Sequence, residues 1–340
     1  MEKSKIIIWK NTFKRRVKNE LRFQLIYVGI PVGLILGIIL FLVFLNVSEE
    51  DFKSTIQLVT TLQLCILFFV LNKFTKSKNI ITKQKELLEE KQNEITESLK
   101  YALRIQTAIL PAQKTVKQYL ENSFIIYKPK DIVAGDFYWL EKVNDLVLFA
   151  ACDCTGHGVP GAMVSVVCYN ALNRAVREFG LTQPAEILNK TSEIVKENFF
   201  NSEEDIKDGM DISLCAFNIK TNKLEWAGAN NPLWLIYNQE LIETKADKQS
   251  IGNSEDNKPF TNHYFTLKTG ENIYIFSDGF QDQFGGEREK KFSKRRFKEL
   301  LLTLQNLTIQ AQGIVIDKFI LDYMKETEQT DDILVMGVKV

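Results

Sequence analysis

Carboxylates recur where apolar, strand-like runs meet turns. Asp136 follows "IVAG", Asp153 closes "LVLFAAC", Asp278 closes "NIYIFS" with Gly279 behind it, and Asp331 and Asp332 open "ILVMGVKV". Any single aspartate of this kind is accounted for by a helix cap or an Asx turn. Several at strand termini carry a further implication, because carboxylates gathered at one sheet edge repel each other unless a cation neutralises them. Their hard oxygens suit Mg²⁺ or Mn²⁺. The chemistry to expect is therefore metal-assisted.

Two other motifs compete for attention. Gly156-His157-Gly158-Val159-Pro160-Gly161 matches the G-x-G-x-x-G dinucleotide fingerprint literally. That fold needs a second strand after the helix, ending in an acid that reaches a ribose. Here "QPAEILNK" leads into another helix instead, so the glycines are expected to make a sharp strand-to-helix turn, with Pro160 in the helix's first turn. His157 is expected to serve that turn. Cys168 and Arg174 fit the C-x5-R spacing of cysteine phosphatases, yet they fall inside the predicted helix, where no loop of amides could surround a phosphate. No kinase-like glycine box is present.

The elements that must position these groups alternate irregularly beyond Pro111. Strands are expected at "SFIIYKP", "DFYWLEKV", "LVLFAAC", "ISLCAFNIK", "KLEWAGA", "LWLIYN", "NIYIFS" and "DILVMGVKV". Helices fit "GAMVSVVCYNALNRAVREFG", "QPAEILNKTSEIVKENFF", "KRRFKELLLTLQ" and "AQGIVIDKFILDYMKE". Short turns such as the one within "NIKTNKLEW" imply antiparallel pairing, with helices segregated to the sheet faces, an α+β class. The five cysteines show no finger spacing, and most are expected to act as small buried apolar residues.

The first part of the chain has a different texture. Lysine plus arginine equal aspartate plus glutamate at 43 each, so no global charge points to nucleic acid. Residues 1–23 are nonetheless basic. Residues 24–46 are uncharged and long enough to cross a hydrocarbon core, and a weaker apolar run covers 56–72. The flanking lysines and the acidic connection "VSEEDFKST" predict a transmembrane helical hairpin over 24–72 with both ends in the cytoplasm. From 73 to 111 the chain is charged and free of glycine, with Ile81, Leu88, Ile95, Ala102 and Ile109 in a seven-residue repeat. Gln84, Lys91 and Ser98 interrupt the seam, which predicts a coiled-coil-like connector helix forming a marginal homodimer through 73–110. A seam of that kind can transmit a change of packing. Residues 112–340 form the globular domain.

The blocks "KPKDIVAGDFYWL", "ACDCTGHGVPGAM", "AGANNPLW", "IYIFSDGFQDQFGG" and "QTDDILVMGV" resemble, in order and spacing, the SpoIIE-type branch of the metal-dependent serine/threonine phosphatases with the protein phosphatase 2C fold. The segment "YALRIQTAILPA" also resembles the lead into this domain in membrane-anchored members. The resemblance covers about residues 100 to 340. It implies a four-layer α-β-β-α sandwich with a cleft for two divalent cations, Mn²⁺ or Mg²⁺, at one end. By position, Asp153 would bridge both ions with the backbone carbonyl of Cys154 as a further ligand. Asp278 and Asp331 would complete one ion, and Asp136 would bind the other directly or through water. Two such ions would activate a water for in-line displacement of serine or threonine.

The implied substrate is a phosphorylated regulatory protein, such as an anti-sigma-factor antagonist, met at the cytoplasmic face of the inner membrane. The alternative is a silent phosphoprotein-binding module, which the presence of every candidate ligand argues against. The chain departs from distant eukaryotic relatives in lacking their phosphate-holding arginine, with Lys128 and Lys130 the nearest cations; a similar Asp-Gly-His run there implies a general acid as the alternative role of His157, which here lies two residues farther from the aspartate. Asp211, in "DGMDISL", is a candidate for a third, weaker ion.

Overall fold

The computed structural model describes residues 29–44, 48–200, 208–252 and 258–340. The basic segment 1–23 and the first residues of the first apolar run lie outside them. The chain divides into two compact units, residues 1–92 and Asn93–Val340.

In the first unit, helix α1 spans Ile30–Phe44, and helix α2 begins at Glu49. The second apolar run and the charged connector belong to one unbroken helix, Glu49–Ile109, which stops where Pro111 would clash with another turn. Among the described residues this helix alone is long and apolar enough to cross a membrane. The expected hairpin of two spans is not shown, since α1 is described over only 15 residues. Leu58, Leu62, Phe68 and Phe69 are exposed, as are the seam residues Leu88 and Ile95.

The second unit begins with the end of α2 and the short helix α3, Gln113–Tyr119. Two five-stranded antiparallel sheets follow. One has the order β1-β12-β9-β6-β7, using β1 Ser123–Lys128, β6 Leu233–Tyr237, β7 Glu240–Thr244, β9 Asn272–Phe276 and β12 Ile333–Lys339. The other runs β2-β3-β4-β5-β8, from β2 Phe137–Val143, β3 Leu146–Cys154, β4 Met210–Asn218, β5 Lys223–Ala229 and β8 His263–Thr266.

Period-two side-chain alternation explains why these strands read as continuous apolar runs. In β3, Val147, Phe149 and Ala151 point into the core between the sheets, while Leu148, Ala150 and Cys152 point to the opposite face. There they meet helices α4, Gly158–Arg177, and α5, Pro184–Phe200. In β9, Ile273 and Ile275 join the inter-sheet core, whereas Tyr274 and Phe276 pack beneath the C-terminal helices. These are α7, Lys294–Thr303, and α8, Ile309–Met324; a single turn, α6, Gly279–Asp282, follows β9. Helix, sheet, sheet and helix thus stack in four layers, as the resemblance implied.

All eight expected strands form. Strands β7 and β8 and a two-residue hairpin, β10 Phe284–Gly285 with β11 Lys290–Lys291, were not expected. The edge strand β7 alternates exposed and half-buried residues and carries two glutamates, so it shows no apolar run.

Candidate active site

Register brings the carboxylates to one end of the sandwich. In the β2–β3 pair, Phe137 faces Cys152, so Asp136 lies just before β2 at the end where Asp153 stands in β3. Asp153 in turn faces Asp211 of β4. In the other sheet, Asp278 follows β9 while Asp331 and Asp332 precede β12, and Ser277 N–H donates to the Leu334 carbonyl between them. The two sheets meet at this end, where Asp278 N–H approaches Asp153 Oδ2 at 3.5 Å.

The charges are coupled. Burial first, then the Asp153 charge, raises the Asp136 carboxyl well above the usual carboxylate range. Burial, then Asp278 and Asp211, does the same to Asp153. Asp278 is pushed up to about 6 by burial and by Asp282 and Asp331, with Lys291 opposing. Such a set is costly when ionised and unneutralised. Asp136 Oδ2 is buried and has no hydrogen-bond partner among the described residues. Among those residues no group of three or more His, Cys, Asp or Glu side chains stands close enough together to hold an ion as placed, and the acids act on each other through charge. An orphaned carboxylate oxygen within a cluster of mutually repelling, oxygen-only donors fits a hard divalent cation.

The paired aspartates at β12 do different things. Asp331 is exposed and adds its charge to Asp136, Asp153 and Asp278. Asp332 is 2% exposed and accepts backbone N–H bonds from Lys130 (2.7 Å), Gly135 (2.7 Å) and Asp136 (3.3 Å). It thereby clamps the segment that carries Asp136. Gly135 is demanded by close approach, since a Cβ there would lie 2.4 Å from the Gly156 carbonyl oxygen. The glycine turn after Asp153 is thus pressed against the Asp136 segment, and Gly156 and Gly158 take left-handed backbone angles to make it. His157 precedes α4 and bonds through Nδ1 to Asp131 Oδ2 at 2.9 Å. The Cys154 thiol is buried in the core under α4, and its carbonyl oxygen lies beside Gly135, where an added Cβ would stand 3.2 Å away.

Other expectations resolve as follows. Cys168 is buried within α4, away from any phosphate-cradling loop. Lys128 pairs with Asp317 at 2.9 Å. Asp211 Oδ1 accepts from Asn230 Nδ2 (2.9 Å) and Ser250 Oγ (2.6 Å). Four of the five cysteines are buried and Cys65 is exposed, all as thiols.

Two positioning residues escaped the sequence reading. Ser277 Oγ accepts from Leu334 N–H at 3.0 Å, and its hydroxyl opposes the rise of the Asp136 carboxyl. Gln106, 4% exposed near the end of α2, donates from Nε2 to the Ala134 carbonyl (2.6 Å) and to Ser165 Oγ (3.1 Å), and accepts from Ala134 N–H at 3.2 Å. It shares a helix face with Ala102 and Ile109, a spacing that could have revealed it.

The family profile of Stage II sporulation protein E (SpoIIE) matches residues 144–340. The chain belongs to the SpoIIE family of PP2C-type serine/threonine phosphatases. The SiaA-PP2C domain of Pseudomonas aeruginosa is similar at 32% identity over 73% of this chain and 98% of that domain, with a TM-score of 0.67. Two further structures share the fold. One is the PP2C phosphatase domain with a fragment of the regulatory domain of SpoIIE from Bacillus subtilis, with 16% identity, 64% and 61% coverage and a TM-score of 0.53. The other is the RsbU and RsbW domains of a Mycobacterium tuberculosis protein, with 17% identity, 64% and 59% coverage and a TM-score of 0.52. A search of curated proteins gives no match. In this SpoIIE-family chain the acidic sandwich end is the candidate catalytic cleft.

Proposed function

We propose that this SpoIIE-family phosphatase hydrolyses phosphoserine or phosphothreonine on a regulatory protein, with two divalent cations, Mn²⁺ or Mg²⁺, held by Asp136, Asp153, the Cys154 carbonyl, Asp278 and Asp331. The observation that carries the reading is the gathering of these aspartates at one sandwich end around the orphaned Asp136 Oδ2. When bound, the cations would supply Lewis-acid activation of a water and of the phosphoryl oxygens. The residues themselves have separable tasks. Asp153, reached from both sheets, ties the two halves of the site together. Asp332 fixes the backbone around Asp136, and the Gly156 turn closes over Gly135.

The apolar part of α2, with Leu58, Leu62, Phe68 and Phe69 exposed, supports a membrane tether with the catalytic unit in the cytoplasm. The exposed Leu88 and Ile95 support pairing of two connector helices. Hydrolysis of p-nitrophenyl phosphate and of phosphoserine peptides by the full chain, with Mn²⁺ or with chelator, tests the catalytic reading. Activity should require the ion and fall at least a hundredfold in Asp153→Asn. Chelator-resistant turnover, or full activity in the variant, would sink it.

A further inference from the structure

The chain's overall neutrality conceals one strongly basic stretch. Between Arg288 and Lys298 stand seven cations, with Glu289 the one acid among them. Three of the seven are already paired, with two carboxylates between them. Lys294 and Lys298 both bond the Glu243 carboxylate at 2.5 Å, one to each oxygen, and Lys291 pairs with Asp282 at 2.6 Å. Arg288 and Lys290 have no ion pair among the described residues, and Arg295 holds only an exposed helical contact with Glu299 at 3.5 Å. Such a contact contributes little.

These groups line a cleft of about 590 Å³ between the β10–β11 hairpin and helices α7 and α8. Its charged lining is Arg288, Lys290, Lys291, Arg295 and Arg296 against Glu287 alone. One wall is built to hold its shape. The Arg296 guanidinium lies over the Phe292 and Tyr323 rings, 5.4 and 5.5 Å from their centroids, and donates to Tyr323 Oη at 3.2 Å. Tyr323 O–H donates in turn to the Lys290 carbonyl at 2.6 Å, fixing the hairpin to α8. A preorganised arginine fork surrounded by unneutralised cations matches carboxylate geometry.

The cleft also abuts the catalytic end. Lys291 lines it while binding Asp282, which closes the single turn that follows Asp278. The same lysine's charge reaches Asp278.

We propose that this cleft docks an acidic stretch of the phosphoprotein substrate, so that a phosphoserine several residues away is delivered to the aspartate cluster. The inference rests on the phosphatase reading above and adds to it a substrate class: phosphoproteins with Asp- or Glu-rich sequence near the phosphorylated residue. Attraction of that sequence also offsets the repulsion a phosphate would feel from the acids around the cleft.

The test uses the full chain and two fluorescent phosphoserine peptides of equal length, one flanked by Asp and Glu and one by Ser and Gly. Binding is read by anisotropy in chelator at 50 and 300 mM salt, so it does not depend on turnover. The wild type should prefer the acidic peptide about tenfold at low salt and lose that preference at high salt. The variant R288E/K290E/R295E should lose it at both. Its p-nitrophenyl phosphate activity with Mn²⁺ should stay within twofold of wild type. Equal binding of the acidic peptide by wild type and variant overturns the proposal, as does an equal loss for both peptides. A charge reversal that leaves peptide binding unmoved and removes only attraction to phosphatidylserine bilayers assigns the cleft to a lipid surface and also overturns it. Absent p-nitrophenyl phosphate turnover by the wild type would instead count against the catalytic reading, leaving the anisotropy result to decide the docking.

Discussion

Asp332→Asn separates the roles of the two adjacent aspartates that precede β12. The carboxylate Oδ1 accepts from Lys130 N–H and Oδ2 from Gly135 and Asp136 N–H, in a site 2% exposed. An amide of the same shape must put a donor where one oxygen stood. Its cheaper orientation turns the amino group toward Lys130 and leaves one buried N–H unpaired. A hydrogen bond to a charged group is worth about 1.5–3 kcal/mol, and the two that remain lose their charge assistance. Against this, burial already raises the Asp332 carboxyl above the usual range, so the neutral amide recovers part of that desolvation penalty. A net loss of about 2 kcal/mol is expected. Urea unfolding followed by tryptophan fluorescence suits the measurement, because Trp139, Trp226 and Trp234 are fully buried in the folded unit.

The same variant should need more Mn²⁺ for half-maximal activity, since the backbone carrying Asp136 is loosened. Asp331→Asn, at an exposed position, should leave the urea midpoint alone and abolish the Mn²⁺ response. If Asp332→Asn unfolds like wild type and Asp331→Asn keeps its Mn²⁺ response, the assignment of clamp to one and ligand to the other is refuted.

Three further outcomes follow from the same geometry. Asp136→Asn removes a buried, repelled carboxyl, so the metal-free chain should gain roughly 1–2 kcal/mol in urea unfolding while losing its stabilisation by Mn²⁺. The pH dependence of the metal-free chain has a definite sign. Asp278 rises from 3.8 unfolded to about 6 folded, so its penalty is absent below about pH 4, grows through that window and is complete above about pH 6. Unfolding midpoints should therefore fall by an amount worth about 1 kcal/mol, after allowance for solvent screening, between pH 4.5 and 7. Saturating Mn²⁺ should remove the fall, and a flat metal-free profile would contradict the shift. Gln106→Leu leaves the Ala134 N–H and carbonyl buried without their partner, at a cost of about 2–4 kcal/mol, and should reduce kcat with p-nitrophenyl phosphate.

Much of this was legible because the inner strands are buried on both faces. Strands such as β3 and β12 could only read as unbroken apolar runs, and an aspartate ending such a run is conspicuous. Strands β7 and β8 offered no such run, being short and half solvated at the sheet edges. Asp331 and Asp332 were indistinguishable as letters. Only the fold separates them: Asp332 turns into the backbone of residues 130–136, while Asp331 stays exposed and its charge is felt by Asp136, Asp153 and Asp278. Gln106 hid among polar connector residues because its partners lie 28 and 59 positions later. The basic cleft was concealed by counting, since 43 charges of each sign cancel over the chain while clustering in space.

The grip of Gln106 on Ala134 also bears on where this enzyme begins. The sequence break at Pro111 invites a cut there, and a fragment starting at 112 would keep every proposed ligand. It would also lack the one side chain that satisfies both backbone groups of the residue two before Asp136. Such a fragment should fold with a slack backbone before Asp136 and show low activity for that reason alone. The last turns of the connector are better regarded as scaffolding of the candidate active site that happens to be written upstream. Any chimera joining this domain to another input must therefore keep its own residues from Asn93 onward.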